Sequence, residues 1–166
     1  MTAIQNSIME RIAVFPGSFD PFTIGHEAIV RRALALFDKI VIAIGYNSNK
    51  ADFFPIEKRT EWIKQVFDNE EKISVENYSG LTVDFCKRAN AKYIIRGLRT
   101  SADFEYERAI AQVNKAMDQD IETIFMLTSP EHSAITSTLV RDIIRHGGDA
   151  SKFLPNSHDL KNTRIH

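Results

Sequence analysis

Phe15-Pro16-Gly17-Ser18-Phe19-Asp20-Pro21-Phe22-Thr23-Ile24-Gly25-His26 separates a short apolar run, Ile12 to Phe15, from a stripe at helical spacing, Ala28, Ile29, Ala33, Leu36 and Phe37. A strand that passes through a glycine-bearing turn straight into a helix reads as the first part of a βαβ unit. Glycine lets backbone approach a ligand closely, and a helix start offers unpaired N–H groups at the positive end of its dipole. The junction therefore favours a bound phosphate. His26 falls in the first helical turn, where its imidazole has a hydrogen bond to donate to a phosphate oxygen. From position alone it is expected to be exposed and to add little to the core.

The same grammar repeats along the chain. Ile40 to Ile44, Ile73 to Val75, Tyr93 to Ile95 and Thr123 to Leu127 read as further strands. Several are almost continuously apolar, as in a parallel sheet covered on both faces. Helical stripes alternate with them: Trp62, Ile63, Val66 and Phe67 after Pro55, then Val83, Phe85, Cys86 and Ala89, then Phe104 to Met117, and lastly Leu139 to Ile144 before Gly147 and Gly148. The expected fold class is α/β, a doubly wound parallel five-stranded sheet in a single domain over residues 1–166, with an extension over 1–10 and a polar tail over 151–166. Such sheets bind ligands beyond the carboxyl ends of their strands. That edge should carry the loops 16–26, 46–54, 96–103 and 128–138.

Composition narrows the ligand. A formal net charge of -1 over 166 residues gives no general basic field for nucleic acid, so anion binding must come from local clusters. The single cysteine, Cys86, forms no internal disulfide, and no signal peptide or membrane span is visible, which fits a cytoplasmic protein. No metal-ligand set or paired-carboxylate cage stands out.

Cations recur in the edge loops. Lys50 is a compact point charge, whereas Arg96 and Arg99, flanking Gly97 and Leu98, offer planar forks that hold two oxygens at once. Brought together without an anion, they are expected to repel. The last loop, His132-Ser133-Ala134-Ile135-Thr136-Ser137-Thr138, runs into Leu139-Val140-Arg141. Its hydroxyls suit helix capping, phosphate binding, or both.

The first junction resembles the nucleotidylyltransferase superfamily motif, Gly-Ser/Thr-Phe-Asp-Pro followed by Thr-x-Gly-His. Arg96 to Glu107, with Asp103, Tyr106 and Glu107 near one helical face, resembles the arginine loop and following helix of the phosphopantetheine adenylyltransferases. The segment ending in Arg141 resembles that family's Ile-Ser-Ser-Thr/Ser-x-Val-Arg motif. The likeness runs from about Ile12 to Pro155 in consistent order. Ser18 stands where threonine is common and Thr136 where serine is common; both keep a hydroxyl.

The resemblance implies a Rossmann-like nucleotidylyltransferase fold and reversible transfer of an adenylyl group from ATP to 4'-phosphopantetheine, giving dephospho-coenzyme A and pyrophosphate. It implies that Ser18 touches both substrates, that Phe19, His26, Gly97, Leu98, Arg99, Glu107 and residues His132 to Thr138 surround ATP, and that Lys50, Thr82 and Arg96 line the phosphopantetheine pocket. Chemistry then falls to His26, Lys50, Arg99 and Ser18, without a protein nucleophile, and Mg2+ arrives on the triphosphate. A homohexamer and inhibition by coenzyme A are further expectations from the family. Two other readings stay open: a relative that makes NAD or a CDP-alcohol on the same scaffold, and a nucleotide-binding sensor without turnover.

Overall fold

The computed structural model describes residues 9–46, 49 and 51–156. Strands β1 (Ile12–Gly17), β2 (Lys39–Gly45), β3 (Ile73–Tyr78), β4 (Tyr93–Leu98) and β5 (Glu122–Leu127) alternate with helices α1 (Ile24–Ala33), α2 (Ile56–Val66), α3 (Thr82–Arg88) and α4 (Ser101–Met117), and α5 (Ser137–Arg145) closes the series. The strands form one parallel sheet in the order β3-β2-β1-β4-β5. The chain therefore winds to one side of β1, then crosses to its other side. Beside β1 lies the crevice where doubly wound sheets place their ligands.

Alternation along β1 and β2 explains the two covered faces. Ala13, Phe15, Ile40, Ile42 and Ile44 point into one cluster with Ile29, Val30 and Ile63 of α1 and α2. Val14, Val41 and Ala43 point into the opposite cluster with Val83, Phe85 and Cys86 of α3. Because both faces are buried, the strands have no polar side to show, which is why they read as continuous apolar runs.

Three helices start on a threonine. Thr23, Thr100 and Thr136 each accept a hydrogen bond from the backbone N–H three residues on, satisfying a donor that a helix start leaves open. At the far end of α5, Gly147 adopts φ +74° and the Gly148 N–H reaches back to the Ile143 carbonyl at 2.8 Å. That backward bond stops the helix where the glycine pair predicts.

Some details differ from the sequence expectation. Leu36 lies on the solvent side, in the turn after α1. β4 runs on to Leu98 because it keeps pairing with β5 as far as Leu127, so Arg96 and Gly97 belong to a strand rather than a loop. α4 begins at Ser101 because Thr100 caps it. Only Glu107 of α4 is buried, and Tyr106, Ile110, Val113 and Met117 leave an apolar flank exposed. Ser151–Phe153 forms a single 3-10 turn, with Leu154 packed against Val140 and Ala150. No helix among the described residues is long and apolar enough to cross a membrane.

Candidate active site

The segment after β1 is folded back on itself. Phe19 sits in the left-handed region at φ 47°, and its ring covers Gly17 so closely that a Cβ there would lie 2.8 Å from the ring. Gly17 is thus required by the protein's own packing, besides any ligand. The Phe19 ring meets Phe15, Phe22 and His26 at centroid distances of 5.3, 5.3 and 5.1 Å. The Asp20–Pro21 peptide is cis.

Every second carbonyl of this segment is held by a guanidinium from a different element. Pro16 O accepts from Arg96 at 2.8 Å, Ser18 O from Arg59 at 2.6 Å, and Asp20 O from Arg141 at 2.6 Å. Pro21 O accepts from the Ser137 hydroxyl at 2.8 Å. The Asp20 carboxylate in turn accepts the N–H groups of Phe53 and Phe54 at 2.7 and 2.9 Å, which ties the segment to the loop after β2.

His26 is more embedded than its sequence position suggests. Its Nδ1 accepts the Thr23 N–H at 3.0 Å while Thr23 Oγ1 accepts the His26 N–H, a reciprocal capping box with histidine in the place usually taken by Glu or Gln. A backbone N–H only donates, so Nδ1 carries the lone pair and Nε2 the proton. Burial, and after it the positive charges of Arg96 and Arg99, push the imidazole down to about 4. His26 is therefore a neutral Nε2–H donor at physiological pH, able to offer an anion a hydrogen bond but no charge.

The two arginines do not face each other unpaired. Arg96 donates Nε and Nη2 to the two oxygens of Glu107 at 2.8 and 2.5 Å, and Arg99 donates Nε and Nη2 to Asp103 at 3.0 and 3.2 Å. Asp103 and Glu107 sit one turn apart on α4. Burial pushes the Asp103 carboxyl up, but hydrogen bonds from Arg99 outweigh this and hold it below the usual carboxylate range. The expected repulsion is absent because α4 brings a carboxylate to each fork.

These residues surround two adjoining cavities. The larger, about 620 Å3, is lined by Ser18, Phe19, His26, Gly97, Arg99 and Glu107 together with His132, Ile135, Thr136, Ser137 and Thr138. The smaller, about 310 Å3, is lined by Thr82, Tyr78, Ile94, Ile110, Ala111 and Asn114. Pro16, Gly17, Ser18, Arg96 and Glu107 border both. Leu98, Ser133 and Ala134 line neither: Leu98 is buried in the sheet, and the Ser133 hydroxyl donates to the Pro130 carbonyl. Lys50 lies outside the described residues.

Sequence reasoning had passed over several lining residues. Arg141 and Arg145 of α5 add two cations to the larger cavity, and their four-residue spacing on one helix face was a usable signal. Ile110 and Asn114 of α4 carry the same spacing into the smaller one. Among the described residues no group of three or more His, Cys, Asp or Glu side chains is arranged to hold a metal.

Relatives with known names share this framework. The cytidylyltransferase-like family profile matches residues 14–143. A phosphopantetheine adenylyltransferase from Cytophaga hutchinsonii is 51% identical over 89% of this chain and 98% of its own length, and one from Flavobacterium psychrophilum is 50% identical over 91% and 99%. Among solved structures, the bifunctional NMN adenylyltransferase/ADP ribose pyrophosphatase from Francisella tularensis, crystallised with AMP and manganese, superposes with a TM-score of 0.66 at 18% identity, over 93% of this chain and 46% of that one, a likeness of fold. The strand order, the first-junction motif and half-identity over nearly full length agree: the chain belongs to the phosphopantetheine adenylyltransferases, within the cytidylyltransferase-like family.

Proposed function

We infer that the protein joins the AMP moiety of ATP to the phosphate of 4'-phosphopantetheine, reversibly, yielding dephospho-coenzyme A and pyrophosphate in coenzyme A biosynthesis. The observation that carries this reading is the shared border of the two cavities. A polar chamber with four arginines and two histidines along its wall suits a nucleoside triphosphate, and a smaller one mixing Tyr78, Ile94 and Ile110 with Thr82 and Asn114 suits an amide-bearing aliphatic arm. Their common wall, Ser18 and Arg96, is where two phosphates meet.

An oxygen of the acceptor phosphate attacks the α-phosphorus of ATP in line; a P–O bond forms there and the bond to the β-phosphate oxygen breaks. No covalent enzyme intermediate is needed, so catalysis is positioning plus electrostatic stabilisation. Lys50 and Arg96 hold the attacking phosphate, with Thr82 beside the arm. His26 Nε2–H and Arg99 stabilise the α-phosphate, Ser18 and the Phe19 backbone orient it, and the start of α5 with His132 to Thr138 receives the departing pyrophosphate. Gly97, Leu98 and Glu107 complete the ATP surroundings. Because Arg96 and Arg99 rest on carboxylates, incoming phosphates must share or replace those partners, which tunes substrate affinity downward.

The nucleotide enters as its Mg2+ complex, the metal riding on the triphosphate. The carboxylates lining the chamber are engaged already, Asp20 with backbone N–H groups and Asp52, Asp103 and Glu107 with arginines. Coenzyme A, sharing the arm and the adenylyl group of the product, competes for both cavities. The exposed flank of α4, where Tyr106, Ile110, Val113 and Met117 fall on one side, is a surface on which copies of the chain would pack in a homohexamer. Buried Cys86, its thiol pushed up to about 11 by burial, fits a cytoplasmic enzyme.

Pyrophosphate release from MgATP measured with 4'-phosphopantetheine, nicotinamide mononucleotide and nicotinate mononucleotide in parallel tests the assignment. Release is expected with phosphopantetheine alone, and dephospho-coenzyme A plus pyrophosphate should return ATP. Release with a pyridine mononucleotide and none with phosphopantetheine would overturn the reading while leaving the fold family intact.

A further inference from the structure

We propose that Arg59 is a positioning residue for the adenylyl transfer, acting through the Ser18 carbonyl to aim the Phe19 N–H. The proposal rests on the reaction assigned above. Arg59 stands on α2, is 1% exposed, and lines neither cavity. Its guanidinium nonetheless reaches two loops of the site: Nε donates to Phe54 O at 2.9 Å, Nη1 donates to Ser18 O at 2.6 Å, and Nη2 lies 2.6 Å from a carboxylate oxygen of Asp52.

Packing does not explain a charge in that place. Burying a guanidinium costs several kcal/mol before its partners offset it, so an apolar side chain would serve the core at least as well. What Arg59 supplies is direction. A peptide unit is planar and trans, so the Ser18 carbonyl and the Phe19 N–H point opposite ways from one rigid plate. Anchoring the oxygen to a buried fork turns the N–H away from Arg59, and Ser18 and Phe19 both line the larger cavity. The plate also needs holding, because Phe19 sits at φ 47°, a left-handed conformation that residues other than glycine rarely adopt. Asp20 fastens the next peptides to the same loop that Arg59 grips, through Phe53 and Phe54. One clasp thus closes from both sides.

The Arg59→Lys variant keeps the charge but cannot bridge Ser18 and Phe54 together. Its readout is the ratio of kcat/KM for the two diastereomers of ATP carrying sulfur on the α-phosphate, which reports α-phosphate orientation and is independent of how much enzyme is folded. We expect that ratio to move toward one by about tenfold, with kcat on ATP about 10- to 100-fold lower. An unchanged ratio in folded Arg59→Lys overturns the proposal. Should that variant not fold, Asp52→Asn keeps Arg59 and weakens its hold at Nη2, on the rim of the larger cavity that Asp52 also lines; a smaller shift in the same direction is expected, and none overturns it. Amide hydrogen exchange over residues 16–22 separates the two layers of inference. If the wild type makes no dephospho-coenzyme A, the assigned reaction falls, while unchanged exchange in Arg59→Lys removes the clasp by itself.

Discussion

Arg96 and Glu107 are joined through both oxygens of the carboxylate, with Arg96 also donating to the Pro16 carbonyl, so a single side chain braces the border between the two cavities. Removing the arginine leaves a largely buried carboxylate without its partner. Arg96→Ala should lose about 1–3 kcal/mol of stability, at the low side for a buried pair because Arg96 is about a third exposed. Adding Glu107→Gln should restore part of the melting temperature and none of the turnover. Full recovery of turnover in the double variant would remove Arg96 from the chemistry.

Substrate preference should separate the two forks. Arg96→Ala is expected to raise KM for phosphopantetheine well above its effect on ATP, and Arg99→Ala the reverse, each lost charge-assisted contact amounting to about 1.5–3 kcal/mol. Pantetheine without its phosphate should be neither adenylylated nor tightly bound. Calorimetry in which both variants weaken only ATP would overturn the division.

His26→Ala should lower kcat by about two to four orders of magnitude, as for removal of a donor that acts on developing charge. It should not fold with unaltered stability, contrary to what its place in the sequence suggests. The capping box and three aromatic contacts vanish with the ring, and about 1–2 kcal/mol should go with them. Near-normal turnover in the folded variant would sink the role assigned to Nε2.

A pH titration of the free protein followed by NMR of the His26 ring should show a midpoint near 4, against 6.5 for an unhindered histidine. The folded pKa lies below the unfolded one, so the unfolded chain takes up the proton first. The stability that a neutral His26 contributes is fully present above pH 6.5 and drains away as pH falls from there toward 4. A midpoint near 6.5 would mean an imidazole open to water.

Gly17→Ala should be destabilising even without substrate, because the new methyl meets the Phe19 ring at 2.8 Å and the ring has Phe15, Phe22 and His26 behind it. About 1–3 kcal/mol is expected for such overpacking. Thermal denaturation of the ligand-free protein measures it, and an unchanged midpoint would show that the ring yields freely.

The strands were legible because a sheet buried on both faces leaves an unbroken apolar imprint, as in Ile40 to Ile44. Thr100 went unread as a cap because Arg96 to Asp103 looks like one polar loop, whereas pairing with β5 keeps Arg96 in the sheet and α4 starts at Ser101. The spacing of Asp103 and Glu107 was visible; what they face depends on how α4 crosses β4, which no local pattern encodes. Arg59 did leave a trace. It lies three, four and seven residues before Trp62, Ile63 and Val66, a cation on the apolar stripe of its own helix, and a charge in that register calls for a buried partner.

The walls of the larger cavity come from segments far apart in the chain, at residues 15–29, 51–53, 96–107 and 128–145. No contiguous fragment holds it, and fraying of β1, β4 or α5 alone takes away one side. Occupancy and folding are then one equilibrium: a nucleotide at a hundred times its dissociation constant should stabilise the entire domain by about 2.7 kcal/mol, protecting even β3 at the far edge of the sheet from proteolysis. On the reaction proposed above, the nucleotide concentration in a digest should then set how quickly a protease clears the chain.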